Sequence, residues 1–337
     1  MSSAKFIITP FTWDLLPAYS KFASTSFGAG SYQATEQYLR WLYECNPLSR
    51  GAGRDMWVAR IETGDIIGCI HTLRLEWVHA GSSFLVPSLH NTMIHPAYRG
   101  VAGGMLILQA FKGEAHAFVP GAEGSVADTL RRMRFVAVPT NWSRKILRPF
   151  AAASARAASR LGWQAAPFQL KHEPSAVNVG RPVELEGCVA LANRGSDTEF
   201  RPQWNEATFF WRFFHPDGPR HLLFVEGNMS CPAGYAVLSI GRRHGVALAR
   251  IVDIQGRDSE TVERLIQRCS AAIRRQGGAV LLNYSSGAET AVATGLQRHP
   301  ATATTLIYHR TPSSMPTAYR FNASAGDYGF EAILTRP

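Results

Sequence analysis

Arg99-Gly100-Val101-Ala102-Gly103-Gly104 is the stretch whose residue types and spacing suit chemistry. A fixed cation precedes five residues of which only Val101 is larger than alanine, so backbone N–H groups there can approach a ligand closely. Upstream, Asn91-Thr92-Met93-Ile94 has strand character and follows Phe84, Leu85 and Val86. Pro96 ends that run, because proline fixes φ and lacks a ladder donor. Downstream, Met105, Leu106, Leu108, Gln109 and Phe111 fit the apolar side of a helix. A strand, a small-residue loop and a helix N-terminus together make an anion site, with partial positive charge supplied by the helix end. The spacing excludes a Walker loop and the G-x-G-x-x-G dinucleotide fingerprint. Four nearby or distant residues are candidates to take a proton or to hold an acceptor: His90 on the same strand, His71 and Glu76 on the preceding one, and Asp327 in a late Gly-Asp pair. Strand alternation puts His90, Thr92 and Ile94 on one face, with Asn91 and Met93 on the other.

The elements that must position these residues follow the chain in order. Phe6 to Phe11 suits a first strand, and two helices follow, one with Trp13, Leu15, Leu16, Tyr19 and Phe22, the next with Tyr38 to Tyr43 ending at Asn46-Pro47. Met56 to Ile61 and Ile66 to Val78 read as strands joined by Glu62-Thr63-Gly64-Asp65. After the anion loop and its helix come a strand at Ala115 to Val119, a helix at Ser125 to Arg134 and a strand at Phe135 to Val138. Ala151 to Arg160 is helical by propensity and leads away from this unit. The second half echoes the first: Trp41 finds a partner in Trp211 and Gly68 in Gly234, at offsets of 170 and 166 residues. Ser259 to Arg275 reads as a clean helix, Val280 to Tyr284 as a strand, Glu289 to Leu296 as a helix and Thr304 to His309 as the last strand. Asp253-Ile254-Gln255-Gly256-Arg257-Asp258 stands where the copy would need an anion loop and offers none.

His95-Pro96-Ala97-Tyr98-Arg99-Gly100, with Gly104 at the outer core position, resembles motif A of the GNAT N-acetyltransferase superfamily. Ala102 stands where that family has glycine. The resemblance implies an α/β (α+β) fold class, with two tandem GNAT-like domains, each a mixed, mostly antiparallel twisted sheet flanked by helices. It implies domains at 1–150, with the acyl-CoA site, and 183–337, degenerate and shaping the acceptor site, joined by a linker at 151–182. It implies that Arg99, Gly100, Val101, Ala102, Gly103, Gly104 and Met105 hold the pyrophosphate of acetyl-CoA or another acyl-CoA, chiefly through the amides from Val101 to Met105. Met93 and Ile94 would pair with the pantetheine arm, one of them giving its amide to the developing oxyanion. No metal is implied. Leu130 occupies the place of the helix tyrosine that protonates the leaving thiolate in many members, and Met133-Arg134-Phe135 replaces Leu-Gly-Phe. Trp41, Tyr43, Asn46, Pro47, Trp211, Arg212, Phe213, Gly326 and Asp327 resemble elements of tandem acyltransferases from surface-polysaccharide and amino-sugar pathways.

Composition bounds the partners. The 337 residues are 46% hydrophobic and suffice for two domains. No apolar run approaches a membrane span and no signal-peptide core follows Met1. Cys45, Cys69, Cys188, Cys231 and Cys269 are scattered singly, against disulfides and zinc and in favour of a reducing cytoplasm. The net charge is +10, and from Thr129 to His172 there are nine basic residues and no acid. CoA phosphates, a nucleotide diphosphate, an acidic acyl carrier protein and a membrane surface fit that field; no nucleic-acid-binding module accompanies it. The expected function is acyl-CoA-dependent N-acylation of a small or medium amine such as a nucleotide-linked amino sugar. The alternatives are an N-acyl amino acid synthase-like enzyme charged by acyl carrier protein, and a non-catalytic GNAT-derived binding protein. Gly104→Glu, which sets a carboxylate among phosphates, is expected to abolish donor binding and leave the fold intact. Isothermal titration with coenzyme A checks this, and unchanged affinity counts against the loop.

Overall fold

The computed structural model describes residues 5–28, 31–163, 173–243, 245–286, 296–298, 304–310, 316 and 318–325. The chain forms two compact units. The first comprises Met1–Trp77, Ser82–Val138 and Ala303–Pro316; the second comprises Val78–Gly81, Pro139–Thr302 and Thr317–Pro337. Among the described residues no helix is long and apolar enough to cross a membrane.

In chain order the first unit contains β1 (Phe6–Pro10), α1 (Leu16–Phe27), α2 (Glu36–Tyr43), α3 (Ala52–Asp55), β2 (Met56–Ile61), β3 (Ile66–His79), β4 (Ser82–Ile94), α4 (Arg99–Phe111), β5 (His116–Ala122), α5 (Gly124–Arg132) and β6 (Val136–Val138). Thr35 starts α2 by accepting the Tyr38 N–H at 3.2 Å, and the helix then buries Tyr38, Leu39, Trp41, Leu42 and Tyr43. β1, β2 and β3 run antiparallel, with Phe6 opposite Ile61 and Met56 opposite His71. Leu106, Ile107, Ala110 and Phe111 of α4 pack on Ile70, Leu89, Val119 and Leu130, the leucine, isoleucine, valine and phenylalanine side chains each worth about 1.5–3 kcal/mol when fully removed from water.

The second unit continues with β7 (Asn141–Ile146), α6 (Pro149–Arg160), α7 (Glu186–Ala192), β8 (Glu199–Gln203), α8 (Glu206–Phe214), β9 (His221–Asn228), β10 (Cys231–Arg243), β11 (Val246–Gly256), α9 (Ser259–Arg275), β12 (Val280–Ser285) and β13 (Gln297–Arg298). The chain then gives β14 (Thr304–His309) to the first unit and β15 (Ala318–Tyr319) to the second. Each unit has a mixed sheet: β1-β2-β3-β4-β5-β14-β6 in one, β13-β7-β12-β11-β10-β9 in the other. Apart from α3, the run of elements from α2 to β5 recurs from α8 to β12, and the fold class read from the sequence is the one observed.

Two features depart from the sequence reading. The amino-terminal stretch of the first unit runs to Val138, short of 150, because 141–146 is a strand of the second sheet, paired with β12 from Val280↔Ile146 to Ser285↔Asn141. Conversely, β14 lies between β5 and β6, with Leu306 opposite both Val119 and Ala137. Each sheet is completed by a strand from the other half of the sequence. The helix expected at Glu289–Leu296 lies, apart from its last residue, outside the described residues.

A buried charge cluster ties the first unit's helices to its sheet. Arg74 Nε donates to Asp55 Oδ1 at 2.5 Å, and both side chains are almost fully buried. Arg74 also donates to Glu114 Oε1 at 3.0 Å. Asp55 Oδ2 accepts from Ser49 Oγ and the Arg50 N–H, while its backbone carbonyl accepts from Thr72. Removing one partner strands the other charge in a site water cannot reach. Asp55→Ala is expected to cost about 3–5 kcal/mol in urea unfolding. Asp55→Leu combined with Arg74→Met is expected to recover most of that loss.

Candidate functional site

Asn91, in the last third of β4, has φ +47°. Asparagine tolerates the left-handed region better than most residues, and one such residue inside a strand makes a bulge that bends it. The bulge is held on two sides. Asn91 Nδ2 donates to the Tyr38 hydroxyl at 2.8 Å, and the Cys69 thiol donates to the Asn91 carbonyl at 3.8 Å. Burial pushes the Cys69 thiol up to about 12, against the opposing contact of the Met93 N–H. Beyond the bulge, the His95 N–H donates to the Ile67 carbonyl of β3 at 2.7 Å. Successive strand amides point to opposite sides, so Met93 faces β3 and Ile94 faces away, toward β5. The parallel pairing of β4 with β5 is Ser88↔Phe118, before the bulge, although β5 runs on to Ala122. Of the two proposed oxyanion donors, only Ile94 therefore points into the β4–β5 side.

α4 begins earlier than its sequence suggests. Arg99 is its first residue, and Gly103, Gly104 and Met105 lie inside it, their amides used in the helical ladder. The amides left over by helix geometry are those of Arg99, Gly100 and Val101. Tyr98 gives the helix no side-chain cap, and the first turn carries no acid. Arg99 is exposed and forms no ion pair among the described residues. Small residues press this helix against the strand end: a Cβ on Gly103 would sit 2.8 Å from Ile94 Cδ1, and one on Gly68 would sit 3.1 Å from Leu106 Cδ1. Gly104 has room, with Met133 Cε at 3.8 Å. Beside the first two turns lies a cleft of about 590 Å³ lined by Phe6, Ile7, Arg60, Ile61, Val101 and Met105.

The two histidines read from the sequence come together, with ring centroids 5.7 Å apart. His71 is fully buried and holds both ring nitrogens in hydrogen bonds. Tyr19 donates its hydroxyl proton to the Gln33 carbonyl at 2.8 Å, so it accepts from His71 Nε2 at 3.2 Å. The Tyr43 hydroxyl lies 2.8 Å from Nδ1 and 3.3 Å from the Asp55 carbonyl, and with the ring neutral its proton goes to the nearer Nδ1. Burial, reinforced by His90, drives the His71 pKa well below its ordinary value, which keeps the ring neutral. His90, 5% exposed, sits one residue before the bulge with Nε2 3.4 Å from the Tyr38 hydroxyl. Glu76 is taken elsewhere: it bonds Ser83 and lies five residues, about 16 Å, along β3 from His71. Asp327 lies outside the described residues. Leu130 is buried in the α4 core, so α5 offers no hydroxyl at that position. Asn91, Cys69, Tyr19, Tyr38 and Tyr43 were missed as a constellation; an asparagine within a strand run was the available signal.

The second unit repeats the geometry and blocks it. β11 has a register shift at Val252: Asp253 pairs with Val237, whereas the next pair is Ile251 with Leu238. β12 pairs with β11 only from Leu248 to Ile251. Chain from Arg320 to Ala325 occupies the side beyond: Asn322 bridges Ser285 and donates to Asp253 Oδ1 at 2.6 Å, and Ser324 donates to Asp253 Oδ2 at 2.9 Å. Burial raises the Asp253 pKa against those two donors. The N-terminus of α9 is already satisfied, since Asp258 accepts the Thr261 N–H at 2.7 Å and Glu260 sits in the first turn.

Solved structures share this architecture. A GCN5-related N-acetyltransferase from Anabaena variabilis matches with TM-score 0.58 and 14% identity, over 90% of this chain and 72% of that one. Saccharomyces cerevisiae N-myristoyltransferase with bound myristoyl-CoA matches with TM-score 0.61 and 10% identity, over 92% and 80%. A probable N-acyltransferase from Enterococcus faecalis matches with TM-score 0.55 and 10% identity, over 90% and 72%. The fold is the one these proteins have. No protein-family model matches the sequence, and no curated protein matches it.

The neutral His71 has a consequence for stability. Unfolding frees the ring to take a proton below about pH 6.5, whereas the folded ring resists it. Stability is therefore expected to fall as pH drops below that value, by up to about 1.4 kcal/mol per pH unit for this residue. Half-buried His221, held down at about 3, adds the same sign in the second unit. Urea unfolding of wild type and His71→Gln between pH 7 and pH 5.5 checks the contribution, with a shallower slope expected in the variant.

Proposed function

We propose that the chain is an acyl-CoA-dependent N-acyltransferase with its donor site in the first unit. One pairing of observations carries the reading: a bulged β4 whose Ile94 amide turns toward β5, then, after a single turn at Pro96–Tyr98 capped by His95, the start of α4, where Tyr98 gives no side-chain bond and the first turn carries no acid. The second unit strengthens it by contrast, because there the same two positions are filled by the chain's own Asn322–Ser324 and Asp258. The likeness to N-acyltransferases of known structure, one with bound myristoyl-CoA, supports an acyl-CoA donor.

In this reading the amides of Arg99, Gly100 and Val101 and the Arg99 guanidinium hold the pyrophosphate, while buried Ala102 and Gly103 let the helix lie close to β4, Gly104 leaves its surface open and Met105 lines the cleft beside it. The edge of β4 at Met93 and Ile94 lies along the pantetheine. An amine attacks the thioester carbonyl, and the charge that develops on oxygen is met by the Ile94 N–H. His90 takes the ammonium proton and Tyr38 orients it, whereas buried His71 holds Tyr19 and Tyr43 in place without touching substrate. The thiolate leaves and takes its proton from solvent, because Leu130 has none to give. Asp327 is the proposed acceptor-binding carboxylate, and Glu76 has no part in the chemistry.

Product mass after incubation with acetyl-CoA or myristoyl-CoA and a panel of nucleotide-linked amino sugars and amino acids tests the reading. Formation of an amide with release of free thiol is expected. Coenzyme A binding with no turnover on any amine would favour a binding protein, and turnover only with acylated carrier protein would move the donor class. His90→Gln is expected to lower turnover about 10²–10⁴-fold with donor affinity unchanged, measured by thiol release and titration.

A further inference from the structure

α6 presents its residues the wrong way round for a helix of a soluble domain. Its half-buried positions are Ala151, Ala152, Ala155, Ala158 and Ser159, one face at helical spacing made only of small residues. That face rests against the β10–β11 turn, where a Cβ on Gly245 would lie 2.7 Å from the Ala155 carbonyl. The large apolar residues point outward. Phe150 is 88% exposed, Leu161 is 76% and Trp163 is 74%. Phe150, Ala153, Ala157 and Leu161 form one outer stripe at spacings of three and four, and Arg156 and Arg160 border it. Just before the helix, Ile146 is also exposed, beside Arg144, Lys145 and Arg148. None of these five cations forms an ion pair among the described residues, and no acid occurs from 141 to 163.

We propose that α6 docks the protein on an anionic lipid bilayer, lying flat in the headgroup layer. Three observations choose this occupant over a protein. The apolar residues stand at the two ends of a helix about 18 Å long, with alanine and serine between them, which suits shallow insertion into a fluid surface better than a groove. Phenylalanine, leucine and tryptophan beside arginine are the residue types that anchor interfacial helices, the arginines keeping their charge in the headgroups. Five unpaired positive charges on one segment need a negative surface rather than one counter-ion. The inference does not depend on the acyltransferase reading.

Co-sedimentation of the full chain with vesicles of phosphatidylcholine alone or mixed with phosphatidylglycerol tests it. Binding only to the anionic vesicles is expected, weakened by high salt, with a blue shift of tryptophan emission that Trp163→Phe removes. Arg156→Glu/Arg160→Glu is expected to weaken partitioning about 25-fold or more, and Phe150→Ser/Leu161→Ser to abolish it. These side chains are exposed, so the thermal unfolding temperature should not move. No partitioning, or partitioning indifferent to both double variants, overturns the proposal. A stoichiometric complex with an acidic carrier protein, or concentration-dependent dimerisation, lost in the same variants without vesicle binding, also overturns it.

Discussion

The left-handed turn at Asn91 is the constraint on which the first unit's proposed donor site rests. A regular strand would spend every amide on its neighbours. A bulge rotates the strand beyond it, and here the rotated segment ends at the start of α4. The cost of the unusual backbone is met locally. Tyr38 from α2 receives the Asn91 side chain, and Cys69 from β3 fills the space behind the Asn91 carbonyl. The buried Tyr19–His71–Tyr43 chain keeps those helices in register with β3. Every member of that chain is buried, and of the two histidines only His90, beside the bulge, keeps any exposure, at 5%.

The two units show how one fold can be opened or closed by small changes. Both have a bent central strand followed by a helix. In one, tyrosine precedes the helix and glycine sits in its first turn; in the other, aspartate caps it and glutamate follows. A carboxylate at that position does for the helix dipole what a phosphate would do, so the second helix has no remaining demand for an anion. The segment around Asn322 likewise takes up the polar edge that the bend exposes.

Much of this was legible in the residues and some was not. The helix at Ser259–Arg275 was read to the residue, because Asp258 caps it and its apolar positions keep helical spacing throughout. The strand at Thr304–His309 was also read, but its partners were not, since pairing across about 190 residues leaves no local trace. Glycines at 103 and 104 suggested a loop where the structure has helix. Gly103 lets α4 lie against Ile94, a tertiary demand that outweighs propensity, while Gly104 has room. His71 and His90 were found from residue type, yet their differing burial depends on α1 and α2, which sequence alone does not bring to β3.

The exchanged last strands bear on how the chain comes off the ribosome. A nascent amino-terminal half is fully extruded long before β14, the strand that joins β5 to β6, has been translated. Until then β5 keeps an open edge of backbone donors and acceptors, the kind of surface that pairs with whatever strand is nearest. β7 waits in the same way for β12. Native pairing is therefore a late event for both halves, and a stop codon placed anywhere before residue 304 would leave the amino-terminal sheet unfinished, however complete that half is in sequence.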